Sequence, residues 1–265
     1  ARLSDLSSPI RIEVARALGG IGDDRAVPAL VRCLAVGSPE LRAACAEALG
    51  SIGGETARSA LASSLLDEEE HSVMAMLAEA VTRAAGAEEG EAPMEVLEAV
   101  QELFPRFAEA RNTSLKRQYA IAIGNILGHP GEFYRFITGE ASSRQARCRS
   151  LFASFKLRLE PIVSGEEEAA VLFRDCGRAL EMDSGREALA SVLGLHRLAM
   201  RRLFGSLTDA PDFHEAAGRA DMRLGAWCWI AREAAAAAGR GEEGLDEASC
   251  QIAALLGLYY LSSGI

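Results

Sequence analysis

The 265-residue chain carries 38 acidic and 28 basic side chains, a net charge of −10, and is 49% apolar with only 6% aromatic residues. The acidic balance argues against nucleic-acid binding, and a core made of Ala, Leu, Val and Ile suits closely packed helices. No apolar run reaches the roughly 18 residues that a membrane span needs, and no charged-then-apolar leader opens the sequence, so a cytoplasmic location is expected.

From the N-terminus, two segments match at an offset of 31 residues over most of the unit. Ser8-Pro9-Ile10-Arg11 leads to Ala17-Leu18-Gly19-Gly20-Ile21-Gly22, and Ser38-Pro39-Glu40-Leu41-Arg42 leads to Ala48-Leu49-Gly50-Ser51-Ile52-Gly53. The offset persists in a second helix, where Ala26, Leu30 and Leu34 match Ala57, Leu61 and Leu65. Each unit therefore reads as two helices, the first capped by serine, opened by proline and ended by glycine. In the first helix Ile10, Val14, Ala17, Leu18 and Ile21 recur at three and four, which predicts an apolar stripe in need of a neighbouring repeat.

A third unit shows in Ala78-Glu79-Ala80-Val81, after the acidic lead Asp67-Glu68-Glu69-Glu70, with a second helix over 93–104 beyond the polar loop at 86–91. A fourth shows in residues 115–128, with a short second helix over 132–138. Longer helical patterns follow over 142–159, 166–182, 185–204, 211–240 and 245–262, separated by short breaks, and they predict an antiparallel bundle capping the array.

The repeat pattern, best matched from Arg11 to Leu34 with Asp23-Asp24-Arg25-Ala26-Val27-Pro28-Ala29-Leu30 at the inter-helix turn, resembles the HEAT-like repeats named after the phycobilisome lyases. The resemblance is strong over 8–66, loose over 67–139 and absent beyond. It implies an α-α superhelix. Family members include lyase subunits, adaptors and scaffolds, so it leaves the function open. Ala1-Arg2-Leu3-Ser4-Asp5-Leu6 parallels the segment before Ser38, so a truncated first repeat and a longer parent protein are expected.

Charge is unevenly spread: residues 67–111 hold twelve acids against three bases, and residues 112–160 hold three against eight. Within the basic block, Arg144, Arg147, Arg149, Lys156 and Arg158 share a helix with Leu151, Phe152, Phe155 and Leu159. That combination suits either a junction helix burying its phenylalanines between the two halves or a contact with acidic partners or anionic lipid. The six cysteines lack any C-x-x-C spacing and read as buried small hydrophobes. The four histidines are far apart, and only His214-Glu215 forms a pair, unlike the several pairs of a HEAT-repeat iron hydroxylase. His196 is expected near the bundle surface. Trp227 and Trp229 face different sides of one helix, one toward the core and one toward an interface. The apolar last helix, 252–260, is expected to be buried in the bundle or in a dimer contact.

The sequence thus predicts an all-α protein of bacterial type: a HEAT-like solenoid over 1–139 followed by an antiparallel helical bundle over 140–265. The expected function is non-catalytic protein interaction or scaffolding, with no cofactor and no metal. Its partner is a protein or another domain of the parent chain. Candidate partner-binding residues are Arg32, Glu55 and Arg58 on the second helices of the repeats, with Arg144, Arg147, Arg149, Lys156 and Arg158 on the basic helix. Two alternatives stand beside this reading: an accessory subunit of a bilin-lyase-like enzyme, and a cytoplasmic regulatory extension of a membrane transporter or sensor with a peripheral membrane contact.

Overall fold

The computed structural model describes residues 8–85, 94–127, 141–209, 212–240 and 244–263. These residues form thirteen α-helices and two short 3-10 turns, with no strand among them. The repeat signals become structure where local chemistry demands it. Ser38 caps α3 (Pro39–Ile52) by accepting from the Leu41 amide at 3.4 Å, and Pro39 sits in the first turn. Gly22 and Gly53, at φ 72° and 73°, end α1 (Ser8–Ile21) and α3 in the left-handed region that glycine enters without strain.

The first seven helices stack in two layers. Helices α1, α3, α5 (His71–Ala85) and α7 (Thr113–Ile126) pack in succession along one layer. Along the other run α2 (Val27–Val36), α4 (Glu55–Asp67) and α6 (Met94–Glu109), each packed against the next helix of the first layer. This is the all-α solenoid that the 31-residue period predicts.

Successive first-layer helices approach through glycine. A methyl group at Gly19 would lie 2.7 Å from the Ala48 Cα, and one at Gly50 would lie 2.9 Å from the Ala80 Cα. The two glycines occupy the same repeat position, and so do the two alanines. At the next junction the equivalent residue is Thr82, whose Oγ1 donates to the Ala78 carbonyl at 3.1 Å and the Asn125 carbonyl of α7 at 3.4 Å. Asn125 Nδ2 returns a bond to the Ala75 carbonyl at 3.0 Å, so hydrogen bonds replace close backbone contact there.

Glu68, from the acidic lead, is a structural residue. Its carboxylate takes two bonds from Arg42, at 2.8 and 2.7 Å, and two from the Glu69 and Glu70 amides. Arg42 also donates to the Gly37 carbonyl at 2.9 Å, tying two inter-helix loops together. Burial pushes the Glu68 carboxyl up, but these bonds outweigh it and hold the group below its ordinary value.

Two expectations in the array are corrected. Ile10 and Ile21 are 51% and 71% exposed, and α1 instead buries Ala15 and places Gly19 on α3. Ile12 and Leu18 pack partly buried against the core, so the small face of α1 makes the close contact and Ile10 and Ile21 remain outside. Helix α6 continues through Pro105 to Glu109 rather than stopping at Phe104, because Phe107 is buried and stacks 5.7 Å from Phe104. The expected helix over 132–138 lies outside the described residues.

The C-terminal helices are α8 (Ala141–Leu159), α9 (Glu167–Glu181), α10 (Gly185–Phe204), α11 (Phe213–Ala220), α12 (Met222–Ala238) and α13 (Glu247–Ser263). The expected helix over 211–240 is broken. Asp221 is extended, and its carboxylate accepts from the Arg223 and Leu224 amides, which starts a new helix at Met222. Helix α13 is buried from Ile252 to Leu261 against α10, α8 and α12.

Helices α12 and α13 also lie against α6 and α7. Trp229 meets Phe104 edge to face at 6.0 Å, and the buried Lys116 of α7 donates to Asp246 Oδ2 at 2.6 Å and Ser249 Oγ at 2.7 Å. Trp227 is wholly buried, so the two tryptophans divide between core and interface.

His196 is not near the surface as expected: it is 8% exposed, and its Nδ1 accepts the Trp227 indole N–H at 3.0 Å. A buried indole needs an acceptor, and the histidine on the facing helix supplies it.

Two measurements check this packing. Gly50→Ala should destabilise the protein by about 1–3 kcal/mol in urea unfolding, because the added methyl overpacks the α3–α5 contact. Gly20→Ala, whose methyl meets nothing within 4 Å, should be neutral or stabilising by about 0.5 kcal/mol. The second concerns pH. Desolvation lowers the His196 pKa from 6.5 to about 4, so the unfolded chain takes up this proton first. Stability should be fully present above pH 6.5 and fall as pH drops toward 4, by at most about 3 kcal/mol. His196→Asn should flatten the thermal-melting profile between pH 5 and 6.5.

Candidate functional site

The basic helix of the sequence analysis is α8, and its side chains divide by face. Phe155 and Leu159 are fully buried, and α8 packs against α9 and α13. Phe155 lies 6.2 Å from Phe152 and meets Phe173 of α9 at 5.9 Å in a T-shaped contact. The apolar side of α8 is thus spent inside the C-terminal helices, while the contact between the two halves runs through α6 and α7 with α12 and α13.

The cations flank that buried side: Arg147, Arg149, Lys156 and Arg158 are all exposed, with Arg149 and Lys156 along one flank and Arg147 and Arg158 along the other. Arg144 stands in the first turn of α8, with its side chain outside the described residues.

Between α8 and α9 runs a groove of two adjoining cavities, of 390 and 450 Å3, which share Phe152, Gly177 and Glu181. A methyl group at Gly177 would sit 3.1 Å from the Phe152 ring, so glycine lets that ring lie down along the floor. Arg149 and Lys156 line the groove from α8, and Arg174 and Arg178 line it from α9. Lys156 Nζ stands 6.0 Å from the centre of the Phe173 ring, within reach of its electron-rich face. Glu160 and Glu181 are the two carboxylates among the described lining residues, and Glu160 lies 3.9 Å from Lys156. Four cations against two acids make this an electropositive groove on a chain of net charge −10.

Arg174 and Arg178 were not among the residues singled out in the sequence. Their signal was there: a spacing of four on a helix, in the run Phe173-Arg174-Asp175-Cys176-Gly177-Arg178, puts both on the face that carries Gly177.

The remaining candidates lie elsewhere. Arg32 on α2 and Glu55 at the start of α4 are exposed, whereas Arg58 on α4 is 7% exposed and therefore does not line an outer surface. Helix α4 turns Arg58 inward beside Ala57 and Leu61. The structure does not bring these residues to the α8–α9 groove.

Among the described residues no group of three or more His, Cys, Asp or Glu side chains could hold a metal ion, and no helix is long and apolar enough to cross a membrane. The described side chains of the groove are suited to holding an acidic segment with apolar side chains: rings below, guanidinium and ammonium groups above.

Residues 1–82 match the family model of HEAT repeats. Those residues are HEAT-like repeats, and the match selects no lyase subtype. No curated protein matches the chain, and neither does any solved structure. The α8–α9 groove lies outside the matched segment.

Cysteine reactivity probes the groove. Burial pushes the Cys45, Cys176 and Cys228 thiols up to about 12, and Cys33 and Cys250 are buried as well, whereas Cys148 is half-buried on the groove wall. Maleimide labelling of the native protein followed by peptide mass spectrometry should modify Cys148 first. Modification of the other five should require unfolding.

Proposed function

We propose that the chain is a non-catalytic protein-interaction scaffold: a HEAT-like array over 1–139 and a helical bundle over 140–265 that receives an acidic partner in the α8–α9 groove. The observation that carries this reading is the groove itself, where Arg149, Lys156, Arg174 and Arg178 surround Phe152 and Phe173. HEAT repeats generally serve protein interaction, which supports the coarser part of the proposal. Arg32 and Glu55, exposed on the second-layer helices, offer a further contact surface.

A peripheral contact with anionic lipid would use the cations of α8. Against insertion of that helix stands the burial of Phe155 and Leu159, which leaves Leu157 as its exposed large apolar residue among those described. The bilin-lyase alternative rests on repeat subtype alone and gains no support from the groove.

The test is affinity purification with the tagged chain and with the combined variant Arg149→Glu, Lys156→Glu, Arg174→Glu. Specific proteins retained by the wild type should be lost from the variant, with both proteins melting at similar temperatures. Equal retention by the two would remove the groove from the proposal. Flotation with anionic vesicles, in the absence of any retained protein, would favour the membrane reading instead.

A further inference from the structure

A further cavity, of 550 Å3, lies away from the groove, between α10 and α12, with Thr208 of the 3-10 turn Gly205–Asp209 and Phe213 of α11 on its border. Its volume is in the range of small-molecule sites, roughly 300–1,000 Å3. Met200, Phe213 and Cys228 give it an apolar lining.

The polar groups that line it are cationic or neutral. Arg197 and Arg201 stand one turn apart on α10, and Arg232 lines the cavity from α12. No carboxylate is present among the described lining residues. Arg197 and Arg232 do have carboxylate partners, Glu168 at 3.4 Å and Glu233 at 3.2 Å, but both pairs are solvent-exposed and so weakly held. Arg197 can turn to a bound anion at little cost.

His196 adds direction. It lines the same cavity, and its Nδ1 is occupied by the Trp227 indole N–H. In the neutral ring the proton therefore resides on Nε2, which leaves a hydrogen-bond donor and no acceptor. A donor histidine and three guanidinium groups around an apolar lining select against cations and against fully apolar molecules.

We propose that this cavity binds a small amphiphilic carboxylate, with its head group held by Arg197 and Arg201 and its hydrocarbon body over Met200, Phe213 and Cys228. The site is separate from the α8–α9 groove, so it stands or falls independently of the partner proposed there.

Decanoate, kept below its micellar range, is the probe. In a Trp229→Phe background Trp227 is the remaining tryptophan, and its contact with His196 makes its emission a reporter of occupancy. Decanoate should change that emission saturably, and calorimetry on the unsubstituted chain should give the same dissociation constant. Decanol and decyltrimethylammonium should bind at least about tenfold more weakly. The double variant Arg197→Glu, Arg201→Glu should lose at least about tenfold in decanoate affinity without a lower melting temperature, and Ala235→Trp, which fills the cavity wall, should abolish binding. The absence of saturable binding by both methods would overturn the proposal. So would equal affinities for decanoate and decanol, or a double variant that binds decanoate like the wild type.

Discussion

The N-terminal stack depends on a contact between one glycine and one alanine, repeated from unit to unit. Gly19 rests on Ala48, and Gly50 rests on Ala80, each pair too close for even one added methyl group. Backbones that approach so closely leave no room for a side chain to adjust, so the contact fixes how far each unit is shifted and turned relative to the last. The third junction lacks the glycine. Thr82 reaches across it with a hydroxyl, Asn125 answers with an amide, and the match to HEAT repeats ends at this same residue 82. A change in the chemistry of one position thus coincides with the limit of the recognisable repeat.

Charge in this molecule serves two ends. Some of it is structural: Glu68 gathers two loops through Arg42, and Lys116 gives up water to join α7 to Ser249 of α13 and to Asp246 just before it. For Asp246, burial pushes the carboxyl up, but the bonds from Lys116 and Ser249 outweigh it and hold the group below its ordinary value. Other charges have been left where they add to one another. Arg149, Lys156, Arg174 and Arg178 face a common groove, and Arg197, Arg201 and Arg232 face a common cavity, both on a protein whose net charge is negative. The acidic total describes neither surface.

Much of the fold was legible because its signals are local. Serine, proline and glycine mark helix ends by properties of their own backbones, so α3 and α10 have the ends that the sequence implies, and α1 ends before Gly22 as it implies. What required the structure was every feature set by a distant residue. Phe107 draws α6 through a proline, Trp227 draws His196 into the core, and Asp221 interrupts a helical pattern with a cap of ordinary composition. The basic helix and the burial of its phenylalanines were legible in the sequence, but not the place of that burial, since the partner Phe173 lies on another helix of the C-terminal half. For the same reason Arg174 and Arg178 joined the candidate site only when α9 was seen beside α8. Arg58 left it when α4 was seen to turn inward.

The Lys116 ammonium also bears on how the molecule comes apart. Its partners are 130 and 133 residues away in the chain, so this bond exists only when α13 is already docked on α7. A stack of repeats held solely by nearest neighbours is free to unravel from both ends. Here α7 is clamped by a helix distant in the chain, reinforced by the Phe104–Trp229 contact beside it. Opening the array at α7 therefore also costs the docking of α13, a cost that the described helices further from the clamp do not carry. The clamp thus couples the repeats to the helices that follow them.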